Sequence, residues 1–171
     1  YTCMGHKFEN KTFPVSKIGE SHEYVSINPM KKGTTRKGIN VTRFSNFLFE
    51  MDKYNKREQA ELIKRSGLPY STIVDSGNKS LHFILALEED LGERSLYTAY
   101  FKAINHVLAK FGADIDDGCK DPGRFTRSPF GVNTKPELVQ RKPNVHDRVQ
   151  KVGHVKGRIR LSQVDEWLEL N

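Results

Sequence analysis

Phe47-Leu-Phe-Glu-Met-Asp52 sets four apolar residues around a Glu and an Asp two positions apart. Residues 45 to 51 are apolar, short and ended by charge, the pattern of a buried β-strand. Side chains two apart on a strand face the same side, so Glu50 and Asp52 share one face while Phe49 and Met51 take the other. Two carboxylates this close repel each other and are costly to bury unless a cation neutralises them. Hard divalent cations such as Mg²⁺ and Mn²⁺ prefer carboxylate oxygen, so a metal is one reading. A strand ending at a wet edge, with both acids in solvent, is the other.

On the C-terminal side of this strand, Asn55 and Glu58 have capping-box spacing, and Leu62 and Ile63 give the helix an apolar face that Gly67-Leu-Pro69 ends. Tyr70 to Val74 and Leu81 to Leu87 read as two strands joined by the glycine-containing turn Asp75-Ser-Gly-Asn78. Leu96, Ala99, Tyr100, Ala103, Val107, Leu108 and Phe111 recur at three- and four-residue spacing, an amphipathic helix from Ser95 that stops at Gly112. Residues 133 to 160 are basic and weakly patterned, read as extended arms, and Ser162 is read as the cap of a closing helix around Val164, Trp167 and Leu168. On the N-terminal side, residues 1 to 40 are polar, with one strand-like run, Glu23-Tyr-Val-Ser-Ile27, and the basic loop Lys31 to Lys37. The order strand, helix, strand, strand, helix, strand predicts a mixed α+β sheet close to a split βαβ arrangement, with helices on one face.

Of 171 residues, 28 are Lys or Arg and 21 Asp or Glu, a net charge of +7 that favours polyanionic partners. No apolar run approaches the roughly 20 residues that cross a bilayer, and no secretory leader is evident. Two cysteines, Cys3 and Cys119, make no disulfide framework, which suits a reducing compartment. Cys3-Met-Gly-His6 has the spacing of half a zinc site and lacks a second Cys/His pair nearby.

Two further clusters carry chemistry. Ser76-Gly-Asn-Lys-Ser-Leu-His82 offers backbone N–H groups, two hydroxyls and a lysine that can wrap a phosphate, with His82 opening the next strand on the side of the carboxylates. The same segment also fits an ordinary hairpin turn. Asp116-Asp-Gly-Cys-Lys-Asp-Pro-Gly-Arg124-Phe-Thr-Arg127 combines acids with two guanidinium groups, the preferred forks for phosphate. Those charges could equally pair with one another.

In order and content, Phe49-Glu-Met-Asp52, Ser76 to His82 and Asp116 to Pro129 resemble the three motifs of the archaeo-eukaryotic primase superfamily, in the primase-polymerase form of phages and plasmids. The resemblance covers residues 40 to 133. It implies an RRM-like catalytic sheet, residues 41–133, packed with a small N-terminal α/β module, residues 1–40, and followed by a C-terminal arm and helix, residues 134–171. It implies that Glu50, Asp52 and Asp116 are catalytic metal ligands for Mg²⁺ or Mn²⁺. It further implies that Ser76, Lys79, Ser80 and His82 contact the triphosphate, and that Arg124 and Arg127 bind nucleotide phosphate or template. Asp121 stands where the family more often has Asn, so Asp114, Asp117 and Asp121 compete with Asp116 for the third position.

The activity implied is DNA-templated transfer of nucleotides from NTP or dNTP to a 3′-hydroxyl by a two-metal mechanism, in which catalysis is mostly positioning and charge stabilisation. The basic loop 31–37 and the tract 141–160 would follow a single-stranded DNA template. The chain opens on Tyr1 and is expected to be part of a longer cytoplasmic replication protein, with a helicase domain beyond Asn171 by analogy. A non-catalytic RRM-like module for single-stranded nucleic acid, using aromatics such as Phe44, Phe83 and Phe125, and a metal-dependent nuclease are the rival classes.

Overall fold

A computed structural model describes residues 2–5, 12–14, 16 and 22–171. The strand quoted above is β4, Asn46–Glu50, preceded by β1 (Thr2–Gly5), β2 (Thr12–Phe13) and β3 (Tyr24–Ser26). After it come α1 (Lys56–Ser66), β5 (Thr72–Asp75), β6 (Leu81–Ala86), α2 (Arg94–Lys110), β7 (Phe125–Arg127), α3 (Pro136–Arg141), β8 (Lys151–Val155) and α4 (Leu161–Glu169).

Two antiparallel sheets result. The central one has the order β4-β6-β5-β8, and the other β2-β1-β3-β7. The mixed α+β class expected from the sequence is what the chain adopts, and β4, β6 and β5 stand in the order of a split βαβ unit. The strand after α2 differs. Instead of returning to the central sheet, β7 pairs with β3, joining Tyr24 to Arg127, Val25 to Thr126 and Ser26 to Phe125. Sequence periodicity carries no information on which distant edge a three-residue strand will join.

On β4, Phe47 and Phe49 turn toward α2, stacking on Tyr97 and Phe101 with ring centroids 4.4 and 5.8 Å apart. These rings belong to a buried core shared with Ile63, Ile104, Leu108, Val164 and Trp167. Alternation then forces Glu50 onto the opposite face, toward the second sheet. The capping box of α1 forms as its sequence dictates: Asn55 Oδ1 accepts from the N–H groups of Arg57 and Glu58, and Glu58 accepts from Asn55 N–H.

Gly67 closes α1 at φ 66°, and Trp167 Nε1 donates to Ser66 O at 2.7 Å just beneath it. A Cβ there would occupy the left-handed region, so Gly67→Ala is expected to cost about 1 kcal/mol, read as a lower melting temperature.

Two expectations change in the C-terminal third. Residues 133 to 160 are not simply extended, because Pro136 starts α3 at its first position and Leu138 anchors it in the interior. A one-turn 3₁₀ helix, Val145–Arg148, and β8 follow. Helix α4 begins at Leu161 rather than after Ser162, since Glu89 accepts from Leu161 N–H and Gln163 reaches back to Arg160 N–H. These side chains satisfy donors that a serine cap would otherwise serve. Among the described residues no helix is long and apolar enough to cross a membrane. The Cys3 side chain and His6 lie outside the described residues.

Candidate active site

Backbone register assembles the site. Glu50 ends β4 directly opposite His82 on β6, so both side chains leave the same face as neighbours. His82 Nε2 lies 3.3 Å from Glu50 Oε1. The other ring nitrogen, Nδ1, is 2.9 Å from Thr126 Oγ1 and also faces the backbone N–H of Arg127 at 3.4 Å. Because an N–H can only donate, Nδ1 is the acceptor and Nε2 carries the proton toward Glu50. That Nε2 is buried without an aligned hydrogen-bond partner, so its contact with Glu50 is one of proximity and ring dipole. The ring thereby ties the central sheet to β7.

Asp116 arrives at the same place through the backbone, its N–H donating to Glu50 O at 2.8 Å. It opens the 3₁₀ turn Asp117–Lys120, and its Oδ1 accepts from Gly118 N–H at 2.8 Å. Its Oδ2 accepts from Arg124 Nη2, which also stands 3.9 Å from Glu50 Oε2. Among the described residues, Glu50, Asp116 and Cys119 place one ligand-type atom each within 4.8 Å of one another.

The chemistry of these donors favours a hard cation. Burial pushes the Glu50 carboxyl up, but His82, Arg124 and Arg127 outweigh it and hold the group down at about 2, so it is a carboxylate. Burial, reinforced by the nearby Glu50 charge, raises the Cys119 thiol to about 12, which leaves it a packed thiol rather than a thiolate. Two convergent carboxyl groups beside a neutral thiol fit an oxygen-seeking divalent ion of the Mg²⁺ or Mn²⁺ class.

A cavity of about 300 Å³ opens over Glu50, His82 and Arg124, between the two sheets, with Asp116 behind Arg124 and outside its lining. Tyr24 and Phe125 supply aromatic wall, and Arg36, Arg124, Arg127 and Lys135 surround it with cationic groups. Arg36 lies over the Phe125 ring with Cζ 4.6 Å from its centroid, and its Nη1 donates to Gly123 O at 3.1 Å. Arg127 is fixed from below. Its guanidinium pairs with buried Glu23 and lies over the Tyr24 ring at 4.2 Å, while Thr134 donates to Glu23 from its backbone and from its hydroxyl.

The nine residues singled out from the sequence therefore separate into two groups. Glu50, Asp116, His82, Arg124 and Arg127 converge. Asp52 does not join them: β4 stops at Glu50, Met51 turns into the core, and the chain bends to enter the Asn55-capped helix. Asp52 is exposed on that bend, with Lys79 Nζ 3.6 Å from its carboxylate and 2.9 Å from its carbonyl oxygen. Ser76 and Ser80 are buried within their own turn, where Ser76 Oγ accepts from Ser80 N–H, and with Lys79 they are not among the residues lining the cavity. Of the other acids considered for the third position, Asp114 pairs with Lys53 and Asp117 with Lys120, and Asp121 lies on the cavity rim near Arg36.

The 76–80 turn is braced from outside the motif. Asn133 Nδ2 donates to Ser76 O at 2.9 Å, and Arg148 Nη1 donates to Asn133 O at 2.8 Å. Gly77, at φ 68°, lies so close to the Arg148 backbone that a Cβ would come within 2.8 Å of its carbonyl carbon. Sequence reading missed Glu23, Asn133 and Lys135, which reach or brace the site through contacts far away in sequence, and gave no individual role to Arg36 of the basic loop or to Gly118 of the 116–127 segment.

By sequence the chain matches no protein-family model and no curated protein. In structure it is similar to the AEP domain of the primase-polymerase of cyanophage S-2L, at 16% identity and a TM-score of 0.66, over 86% of this chain and 71% of that one. The architecture reached above, two antiparallel sheets meeting at Glu50, His82 and Asp116, is thus the fold of the AEP domain of a primase-polymerase.

Proposed function

We propose that the chain is a template-directed nucleotidyltransferase of the primase-polymerase type, joining NTP or dNTP units to a 3′-hydroxyl on single-stranded DNA. The observation that carries the reading is the convergence of Glu50 and Asp116 with His82, Arg124 and Arg127 beneath one cationic cavity. Its likeness in fold to a primase-polymerase domain supports the same conclusion.

Glu50 and Asp116 would hold a divalent cation of the Mg²⁺ or Mn²⁺ class, which when bound supplies the charge that phosphoryl transfer needs. The chain's own residues do the positioning. Arg36, Arg127 and Lys135 face the cavity as fixed donors for a triphosphate, and the guanidinium forks select phosphate geometry. His82, proton on Nε2, keeps Glu50 oriented and can donate to a phosphate oxygen if Glu50 turns to a cation. The Ser76–Ser80 turn presents Lys79 outward and holds Asp52 through it. Asp52 completes the carboxylate set only by turning in from Lys79, so its role is that of a ligand recruited on loading. The loop 31–37, which brings Arg36 to the cavity, and the exposed strand β8 provide a basic, sequence-independent path for template.

A primed or bare single-stranded template, labelled nucleotides and Mg²⁺ or Mn²⁺ test this. Metal-dependent extended product is expected from the unaltered chain and not from Asp116→Ala. Shortening of the template instead, lost in the same variant, would make the site a nuclease. Template binding without any metal-dependent product would contradict catalysis.

A further inference from the structure

The two acids already share a cation, and it belongs to the chain. Arg124 Nη2 donates to Asp116 Oδ2 and stands 3.9 Å from Glu50 Oε2. Asp116 Oδ1 is meanwhile engaged by Gly118 N–H, so both oxygens of Asp116 are in use. A metal ion on this pair competes with the Arg124 guanidinium for Asp116 Oδ2 and for the charge of both acids.

The geometry also shows what makes the guanidinium movable. Its backbone is fixed, with Arg124 N–H donating to Asp121 O at 2.9 Å and Arg124 O accepting from Ile27 N–H at 2.8 Å. The side chain is one-third exposed and lines the cavity. It reaches the carboxylates by lying over Gly118, where a Cβ would fall within 2.7 Å of Arg124 Cζ. Gly118 is not in the left-handed region, so its lack of a side chain is explained by that close approach and not by backbone conformation.

We propose that Arg124 is the resident counter-ion of the Glu50/Asp116 pair, and that metal loading turns its guanidinium out to the nucleotide phosphates, making metal and nucleotide binding mutually dependent. This rests on the reading of that pair as a metal site. Arg124 keeps two like charges together without metal, and its displacement adds a cation to the cavity where the triphosphate is expected. By linkage, what helps the arginine leave helps the metal bind. Arg124 acts here as a positioning residue for the carboxylates and as a phosphate ligand after release.

Two variants separate these roles. Arg124→Gln removes the cation, whereas Gly118→Ala keeps every charge and pushes the guanidinium off the pair. Free Mn²⁺ is titrated by electron paramagnetic resonance without nucleotide, alongside thermal melting to verify folding. Both variants are expected to bind Mn²⁺ about fivefold or more tightly than the unaltered chain, at or above the low end of coupling between sites. With saturating Mn²⁺, a non-hydrolysable nucleoside triphosphate should bind Arg124→Gln about tenfold more weakly than the unaltered chain, the loss of one charge-assisted contact. If Arg124→Gln does not melt cooperatively, Gly118→Ala decides the matter alone. Mn²⁺ affinity unchanged or weakened in the folded variants overturns the counter-ion role while leaving the metal site standing. No Mn²⁺ binding by any of the three proteins overturns both.

Discussion

Glu50→Gln is expected to lower template-directed incorporation by about 10²- to 10³-fold, the range seen when one preorganised electrostatic group is removed from an active site, and to lower the melting temperature as well, because the ionised carboxylate itself adds stability. The substitution keeps the size and hydrogen-bonding shape of the side chain. Arg124 would still pair with Asp116, and His82 would still bridge to Thr126, so the local frame survives. What disappears is the charge on the most enclosed oxygen pair of the site. The comparison with Asp52→Ala is informative, because Asp52 begins exposed and tied to Lys79 while Glu50 is preformed on the strand.

The pH dependence follows from the same carboxylate. A folded-state value near 2, against an ordinary 4.5, means that ionised Glu50 adds stability that is fully present above 4.5 and is lost as pH falls toward 2. Glu50 therefore contributes no acid limb to a pH–rate profile measured above 4.5.

The second large effect lies away from the chemistry. Asn28 is 1% exposed and makes four hydrogen bonds through its side chain. Its Oδ1 accepts from the N–H groups of Ser45 and Asn46, and its Nδ2 donates to Asn46 O and Pro122 O. One amide thus fixes the start of β4, the end of the β3 segment and the turn that precedes Arg124. Asn28→Ala leaves two buried N–H groups and at least one carbonyl without partners, at about 1–3 kcal/mol for each unsatisfied group after partial relaxation. A net loss of about 3 kcal/mol is expected, visible as a drop of roughly 6–12 °C in melting temperature for a chain of this size. Asn28→Asp should do no better, since a carboxylate cannot donate to the two carbonyls.

Much of the central sheet was legible because its signals are local. Asn55 and Glu58 define a helix start within four residues, Gly67 defines its end, and the spacing from Leu96 to Phe111 defines α2. The β5–β6 hairpin that carries His82 follows from a turn of ordinary form, whereas the pairing of β6 with β4 that sets His82 opposite Glu50 joins strands separated by α1 and β5. The sequence misled where a local pattern had to be extrapolated. Glu50 and Asp52 share a face only if the strand continues, and it stops because α1 begins four residues after Asp52. The partner of β7, the brace of Asn133 and Arg148 on the Ser76 turn, and the role of Gly118 as a seat for Arg124 all depend on contacts with no sequence period. Glu23 illustrates the same limit: nothing around it in the chain indicates that it will anchor Arg127 across the site.

A crystal grown with Mn²⁺ and a non-hydrolysable nucleoside triphosphate tests whether Glu50 and Asp116 are the metal-holding heart of a nucleotidyltransferase site. Anomalous density is expected between the two carboxylates, at roughly the 2.0–2.3 Å from their oxygens typical of small hard divalent ions, with Arg124 turned to the phosphates. Nucleotide bound in the cavity with Arg124 still seated on Asp116, and no anomalous peak there, would contradict that role.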